Sequence, residues 1–371
     1  MKKAGRSPRL LLVCLLVLFI ADWVKPVFGI ESSSTAGNAA GAVSDQPIQW
    51  KAVSDPTEES VLEAWRGGVG IPLIIMPSGV QEIKSLDSLI VVSWNTHMGG
   101  GDLDRFIQDL KEGRLTAGKP VQDFVLLLQE AFRQGSEVPA SVSAGVRKGS
   151  CIRCSPPSGE RMDIREITRR HSLALYYVPA MRNGETSASE APEDRGSAIL
   201  STLAMSSFTA MELPYERQRR VAIGANISGQ TSAGRPWTVQ VINVHLENRA
   251  RWARFFRSFG QARLRQITAV VEAFSDVGPT VLGGDFNTWF RGSKELAVRY
   301  VEESFDPLQQ HLQLGTVRYG PFLPERIVDY LFFRLPEGWS ADYQRIDALY
   351  GSDHYPLLGR VQIGGDQALD Q

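Results

Sequence analysis

Cysteine is nearly absent from this sequence, with three in 371 residues. Cys14 lies in an N-terminal apolar run, which leaves Cys151 and Cys154 as a single CxxC. That is half of a tetrahedral zinc site, and no second half lies nearby. A redox role needs a thioredoxin-like context, which is missing. In an oxidising compartment a small disulfide loop is the expected state, with free thiols or a metal clip as alternatives. No HExxH and no Cys/His ligand set are present, which disfavours zinc chemistry. No internal repeat is visible, and a formal net charge of −1 builds in no general attraction to nucleic acid. No apolar run is long enough to span a bilayer comfortably; the longest, Leu10 to Ala21, has 12 residues.

That run follows Lys2, Lys3, Arg6 and Arg9, the form of a secretory signal, and Val27 and Gly29 offer small residues for cleavage near Ile30. Asp22 and Lys25 interrupt the hydrophobicity and argue against an anchor. No small-residue lipobox precedes Cys14. Removing residues 1–29 takes away five basic residues and one acidic one, moving the formal charge to −5. The expected location is therefore periplasmic or secreted. Residues 31–45 are small and polar and read as a flexible linker. Residues 46–87 are ambiguous, although VLEAWRGG is compatible with a short helix. The expected organisation is signal 1–29, linker and N-terminal extension 30–87, one domain over 88–363 and tail 364–371.

From residue 88 onward short apolar runs end in polar residues. LIVVS leads to Trp94-Asn95, FVLLL to Gln129-Glu130, WTVQVINV to His245, TVL to Gly283-Gly284-Asp285 and RIV to Asp329. Runs of this length suit buried strands. SLALYYV, SAILST and RRVAIGANI are further strand candidates. DLDRFIQDL puts Leu103, Phe106, Ile107 and Leu110 on one helical face, with Asp102 as cap and Gly113 as stop. A longer helix is expected from about Arg249 to Phe274, and another through SKELAVRYVEE with Ser293 as cap. Stretches 133–160 and 183–194 read as loops. The pattern predicts a mixed sheet, or two packed sheets, with helices outside.

The strand ends collect Asn95, Glu130, His245, Asp285, Asn287 and Asp329, joined by Asp353-His354 in GSDHYP. Few of these suit burial unless paired. Together they make an oxygen-rich pocket with two histidines. Carboxylate and amide oxygens suit Mg²⁺, and phosphoester hydrolysis needs neutralised phosphate oxygens, an aligned water and a stabilised leaving oxygen. Histidine adds a group that titrates near neutral pH.

The segments SWNTH (93–97), LLQEAF (127–132), RGSAILS (195–201), VINVHLEN (241–248), LGGDFNTW (282–289), RIVDYLFF (326–333) and GSDHYPLLGRV (351–361) occur in one order. Each is weak alone, but the ordered series resembles the endonuclease/exonuclease/phosphatase, or deoxyribonuclease I-like, superfamily over residues 88–363. The resemblance implies a four-layer α/β sandwich of two packed mixed β-sheets flanked by helices, with the site at one edge of the sheets. It implies Mg²⁺, with Mn²⁺ as a substitute, bound by Glu130, supported by Asn95 and approached by Asp353. It implies that Asp285 orients or deprotonates water and that Asn287 holds a phosphate oxygen or that water. His354 would contact the scissile phosphate with its tautomer fixed by Asp329. His245 would contact phosphate or act as general acid. In LGGDFNTW the glycines are expected to make a tight turn, with Asp285 and Asn287 pointing the same way on extended backbone. His97, in the loop after Asn95, and Arg195 are weaker substrate-binding candidates.

Arg249, Arg251, Arg254, Arg257, Arg263 and Arg265 follow His245, interleaved with Trp252, Phe255, Phe256 and Phe259 at helical spacing. The aromatics read as a core-facing stripe. The first arginines, Arg249 and Arg251, are expected at the rim of the site, where a phosphate-rich substrate or an anionic membrane surface would meet them. The expected activity is a nuclease acting on phosphodiester bonds. A sphingomyelinase-like phospholipid phosphodiesterase and a phosphatase of a small phosphoester are the alternatives, and a non-catalytic binding protein on this scaffold is a minor one. No protein partner is implied, and a monomer is expected.

Overall fold

The computed structural model describes residues 42–43, 47–51, 56–80, 83–141, 146, 160–183, 191–248, 260–274, 278–288, 295–305, 314–318 and 324–364. The signal segment, Cys151, Cys154, Arg249, Arg251, Ser293 and the tail from 365 lie outside them. The strands are β1 (Ala42–Val43), β2 (Gln49–Lys51), β3 (Leu73–Met76), β4 (Ser88–Asn95), β5 (Phe124–Gln134), β6 (Ala174–Arg182) and β7 (Glu193–Ser201). They continue with β8 (Met205–Glu212), β9 (Val221–Gln230), β10 (Pro236–His245), β11 (Thr280–Asp285), β12 (Asp329–Arg334), β13 (Ser340–Arg345) and β14 (Leu357–Gln362). The α-helices are α1 (Glu59–Arg66), α2 (Leu103–Lys111), α3 (Ile164–His171), α4 (Gln261–Ala273) and α5 (Leu296–Phe305).

Two mixed sheets result, ordered β1-β3-β6-β7-β5-β4-β14-β13 and β12-β11-β10-β9-β8-β2. Strand parity assigns their faces. Leu89 and Val91 of β4, Val125 and Leu127 of β5, Val239 and Val241 of β10 and Leu331 and Phe333 of β12 point between the sheets and form one core. The alternate residues Ile90, Val92 and Trp94 pack outward on α2 and α3. Ile242, Val244 and Leu282 pack outward on α4 and α5. The molecule is the expected four-layer α/β sandwich. Phe106, Ile107 and Leu110 of α2 are fully buried in the outer layer, each contributing about 1.5–3 kcal/mol of transfer free energy. Asp102 caps α2 by accepting the Arg105 N–H at 3.0 Å, and Gly113 follows its end at φ +80°, as the sequence predicts.

Several expectations move. Residues before 88 are not merely an extension: β2 adds to one sheet, β1 and β3 add to the other, and VLEAWR falls in α1. RIV is not the strand. β12 begins at Asp329, and because it runs antiparallel to β11, its first residue reaches the same edge as the last residue of β11. Of the long helix expected from Arg249, the described part is α4, which starts after Gly260 at φ +84°. β8, whose alternation is masked by Ser206-Ser207, was not expected as a strand.

The glycines of LGGDFNTW do not form a turn; both lie inside β11. A Cβ on Gly284 would stand 1.9 Å from the Val244 carbonyl oxygen, and one on Gly283 would meet Leu331 Cδ2 at 2.8 Å and Leu127 Cδ1 at 3.0 Å. Close approach of a neighbouring strand and of the facing sheet demands them. Gly284→Ala is expected to destabilise the fold by about 3 kcal/mol, read as a lower midpoint in urea unfolding with an unchanged slope.

Candidate functional site

Sheet register places the polar strand ends in rows. His245 of β10 pairs with Asp285 of β11, which pairs with Asp329 of β12. In the facing sheet Asn95 of β4 pairs with Gln129 of β5. All five share the inward parity of the apolar positions on their own strands, so they project into the gap between the sheets. Asn95 bridges it, its Nδ2 donating to Asp285 Oδ2 at 3.0 Å while its Oδ1 accepts the His97 N–H at 3.0 Å. The carboxamide expected at a metal is thus used at both ends by the protein. Asp285 Oδ1 accepts the Asn287 N–H at 2.8 Å, and Asn287 Nδ2 donates to the Leu246 carbonyl at 3.0 Å. Asn287 has φ +50°, so it does not share an extended backbone with Asp285 as expected. The aspartate side chain closes a turn of its own instead.

His354 arrives on the segment before β14 and is fixed from three sides. Its N–H donates to Ser352 Oγ at 3.0 Å, its carbonyl accepts Trp94 Nε1 at 3.0 Å, and its Nδ1 meets Asp329 Oδ2 at 2.8 Å. Ser352 Oγ in turn donates to the Asn95 carbonyl at 2.7 Å. The remaining Nε2 stands 4.0 Å from Asp285 Oδ2 and 3.8 Å from Asp353 Oδ1. Burial works against the charged imidazole, but Asp329, then Asp285 and Asp353, outweigh it and raise His354 to about 10. Burial, with Asp329 beside it, raises Asp285 to about 7 against the pull of His354 and its two hydrogen bonds. His245, 3.5 Å from Asp285 Oδ2, is pushed the other way. Burial and the charges of Arg220, Arg195 and His354 hold it well below the usual histidine range, so it is a neutral imidazole at pH 7. A role as protonated general acid does not fit that environment.

Glu130 is not at a strand end. β5 continues to Gln134, and its register with β7 shifts between Leu128 and Ala131, so that Gln129 and Glu130 together oppose Ser197. Glu130 sits at φ +54° in this bulge. At the last pair before the shift, Asn243 from β10 of the other sheet donates to the carbonyls of both Leu128 and Ala198, at 2.8 and 2.9 Å. Gln129 Nε2 completes the clasp on Asn243 Oδ1 at 2.7 Å. Glu130 Oε2 accepts the Met98 N–H at 3.1 Å, and Oε1 lies 3.8 Å from Arg195 Nε. Burial raises its carboxyl, yet Arg195, Arg220, His97 and His354 lower it further, leaving it ionised.

The donor chemistry fits a hard divalent cation. The Glu130 and Asp353 side chains are 18% and 27% exposed, and among the described residues the nearest basic side chains are Arg195 at 3.8 Å and His97 Nδ1 at 3.4 Å respectively. They are the open oxygens of the site. The ligand atoms of Asp285, Asp329 and His354 also lie within 4.8 Å of one another, and the buried Asp329 Oδ1 lacks a hydrogen-bond partner. The hydrogen bond between Asp329 and His354 uses the facing atoms of that trio, which favours a positioned imidazole.

The structure therefore brings Asn95, His97, Glu130, His245, Asp285, Asn287, Asp329, Asp353 and His354 to one edge. Arg195 is buried beside Glu130, not on the surface. Arg249 and Arg251 lie outside the described residues. Arg263 is buried against Glu295 at 2.8 Å and Arg265 pairs with Glu216 at 2.7 Å, so these two serve the fold. Asn243, Arg220 and Ser352 were not singled out from the sequence. An asparagine on the inward parity of β10 was the available signal for the first.

The sequence model of the Endonuclease/Exonuclease/phosphatase family matches residues 92–354. A search of curated proteins found no match. Among solved structures, an endonuclease/exonuclease/phosphatase from Beutenbergia cavernae is similar with TM-score 0.50 and 16% identity, covering 76% of this chain and 72% of that one. The human Nocturnin catalytic domain with bound sulfate follows at 0.40 and 16%, over 76% and 97%. A beta toxin from Staphylococcus aureus with bound magnesium ions stands at 0.38 and 15%, over 74% and 99%.

In the metal-free protein the His354 imidazole is expected to titrate near 10 by NMR. Asp329→Asn removes the charge that raises it, so the titration moves down toward the ordinary histidine value.

Proposed function

The chain belongs to the endonuclease/exonuclease/phosphatase family and is a phosphoester hydrolase of a family that uses divalent metals; on that premise we propose that it is an exported, Mg²⁺-dependent nuclease. The observation that carries the chemistry is the hydrogen-bonded line Asn95–Asp285 and Asp329–His354 across both sheets, beside the open carboxylates of Glu130 and Asp353. The arginines at 249, 251, 254 and 257 support a polyanionic substrate, and the basic and apolar segments of residues 1–29 support export.

Glu130 and Asp353 would hold the cation, Mg²⁺ or in its place Mn²⁺. When bound, it supplies neutralisation of charge on the phosphate and leaving oxygens. Asp285, aimed by Asn95 Nδ2 and the Asn287 N–H, takes the proton of the attacking water. The His354 imidazolium, held by Asp329, donates from Nε2 to a phosphate oxygen. The neutral His245 contributes an N–H without adding charge, and the second amide N–H of Asn287 reaches the same phosphate.

Two protonation states are then required together, an ionised Asp285 and a charged His354. The kcat/KM profile is expected to rise with pH through about 7 and fall toward about 10. Asp285→Asn should remove the acid limb and lower kcat by about 10²–10⁴-fold.

The substrate is tested by incubating residues 30–371 with supercoiled plasmid and Mg²⁺, beside an EDTA control and His354→Ala. Nicking that needs the metal and is lost in the variant is the expected result. Folded protein that leaves plasmid intact but cleaves a phospholipid or bis(p-nitrophenyl) phosphate would remove nucleic acid as the substrate and keep the hydrolase.

A further inference from the structure

Two buried arginines lie beside the site, Arg195, which the sequence offers as a substrate-binding candidate, and Arg220, to which it assigns nothing. Arg195 is on β7 and Arg220 precedes β9, and they are 6% and 3% exposed. With Glu130, His245, Met181, Ser197 and their neighbours they line a narrow cleft, part of it open to solvent. Arg195 Nη1 donates to Asn183 Oδ1 at 2.7 Å and Nη2 to Met181 Sδ at 3.2 Å, but its Nε has no hydrogen-bond partner among the described residues. Arg220 Nε has none either, and among the described residues no hydrogen bond leaves its guanidinium. Glu247, which faces Arg220 electrostatically, already accepts the N–H groups of Arg217 and Gln218, each at 3.2 Å. Ser197 Oγ is used by the Val221 carbonyl at 3.1 Å.

Topology separates these arginines from the reacting groups. Across the first sheet the order β7-β5-β4-β14 runs from Arg195 through Glu130 to Asn95 and the His354 segment. Across the second, β9-β10-β11-β12 runs from Arg220 through His245 to Asp285 and Asp329. Adjacent strands are about 4.8 Å apart, so the arginines stand one strand beyond Glu130 and His245 and about two strands from Asp285. The scissile phosphate belongs on the Asp285 side. With Glu130 committed to a divalent cation, Arg195 and Arg220 keep two buried positive charges; Glu247 faces Arg220, but among the described residues no carboxylate hydrogen-bonds either fork. Guanidinium does not deprotonate to escape this.

Resting on the hydrolase reading above, we propose that Arg195 and Arg220 form a subsite for a second phosphate of the substrate, one ester unit from the bond that is cut. The second phosphate is the neighbouring diester of a polynucleotide or a terminal monoester, and both present the same oxygens to the guanidinium forks.

The test is binding, so it does not depend on turnover. Calorimetry at saturating Mg²⁺ compares phosphate with pentane-1,5-bisphosphonate, a bisphosphonate whose five-carbon spacer matches the O–C–C–C–O link between neighbouring phosphates of a polynucleotide. Wild type is expected to bind the bisphosphonate about tenfold or more tightly than phosphate, one charge-assisted hydrogen bond or more in its favour. Arg220→Gln is expected to remove that margin, and Arg195→Lys, which keeps the charge but loses the fork, to reduce it. Equal affinities in wild type, or equal weakening of both ligands in the variants, overturn the subsite. If Arg220→Gln does not fold, Arg220→Lys and Arg195→Lys carry the comparison. The dinucleotide TpT against pTpT and TpTpT then tells the sources apart. A gain in kcat/KM confined to pTpT marks a terminal monoester, a gain confined to TpTpT marks a neighbouring diester, and no gain with either rejects the proposal. Absence of cleavage in all three strikes the nuclease reading and leaves the binding result standing.

Discussion

Two hydrogen bonds from the Asn243 carboxamide join the sheets where β5 is bulged, and the arrangement of the site depends on them. Glu130 can leave the ladder and face the gap only because two residues of β5 oppose one of β7. The pair at the edge of that bulge, Leu128 and Ala198, is fully buried, where a hydrogen bond left unmade costs about 1–3 kcal/mol. Asn243 makes both bonds from the opposite sheet and is oriented by Gln129, the residue before Glu130. The same atoms that allow the carboxylate to turn thus tie β5 to β10, and so to the row His245, Asp285 and Asp329. Asn95 on Asp285 is a second tie across the gap, one strand further along.

Charge is sorted along this edge. Carboxylates and the raised His354 lie on the side of β11, β12 and β14, while the paired arginines lie on the side of β7 and β9. Glu130 and His245 stand at the boundary and show it in opposite directions. Arginine charge keeps Glu130 ionised against its burial, and burial together with that charge keeps His245 neutral. Two histidines on one site therefore differ in charge at the same pH because of which strands adjoin them. The Asp329 carboxylate makes an imidazolium of one, and burial with guanidinium charge keeps the other neutral.

Much of this was legible beforehand. Alternation along β4, β10 and β11 sends the apolar residues and then Asn95, His245 and Asp285 to one face, and a buried polar residue at the end of such a run demands a partner. What parity cannot carry was misread. Glu130 follows a bulge that resets the count. Asp329 opens an antiparallel strand, although its motif reads as the end of a run. Asn287 turns left-handed, and the glycines answer to a neighbouring strand that only the fold brings near. Arg220 has no local signal, because its burial comes from β7 and β5 of the other sheet. The strands of residues 42–80 are short and sit at or near sheet edges, where little hydrophobic pattern is required.

The central claim is that the Asn243 clasp positions Glu130 for a cation. The most direct measurement is Mg²⁺ titration of the wild type and Asn243→Ala by calorimetry, with near-UV circular dichroism to confirm that both are folded. The account predicts a folded variant whose Mg²⁺ affinity falls about 10–100-fold, as for the loss of a group that orients a metal ligand. Unchanged affinity in a folded Asn243→Ala protein would contradict it and place the aim of Glu130 elsewhere.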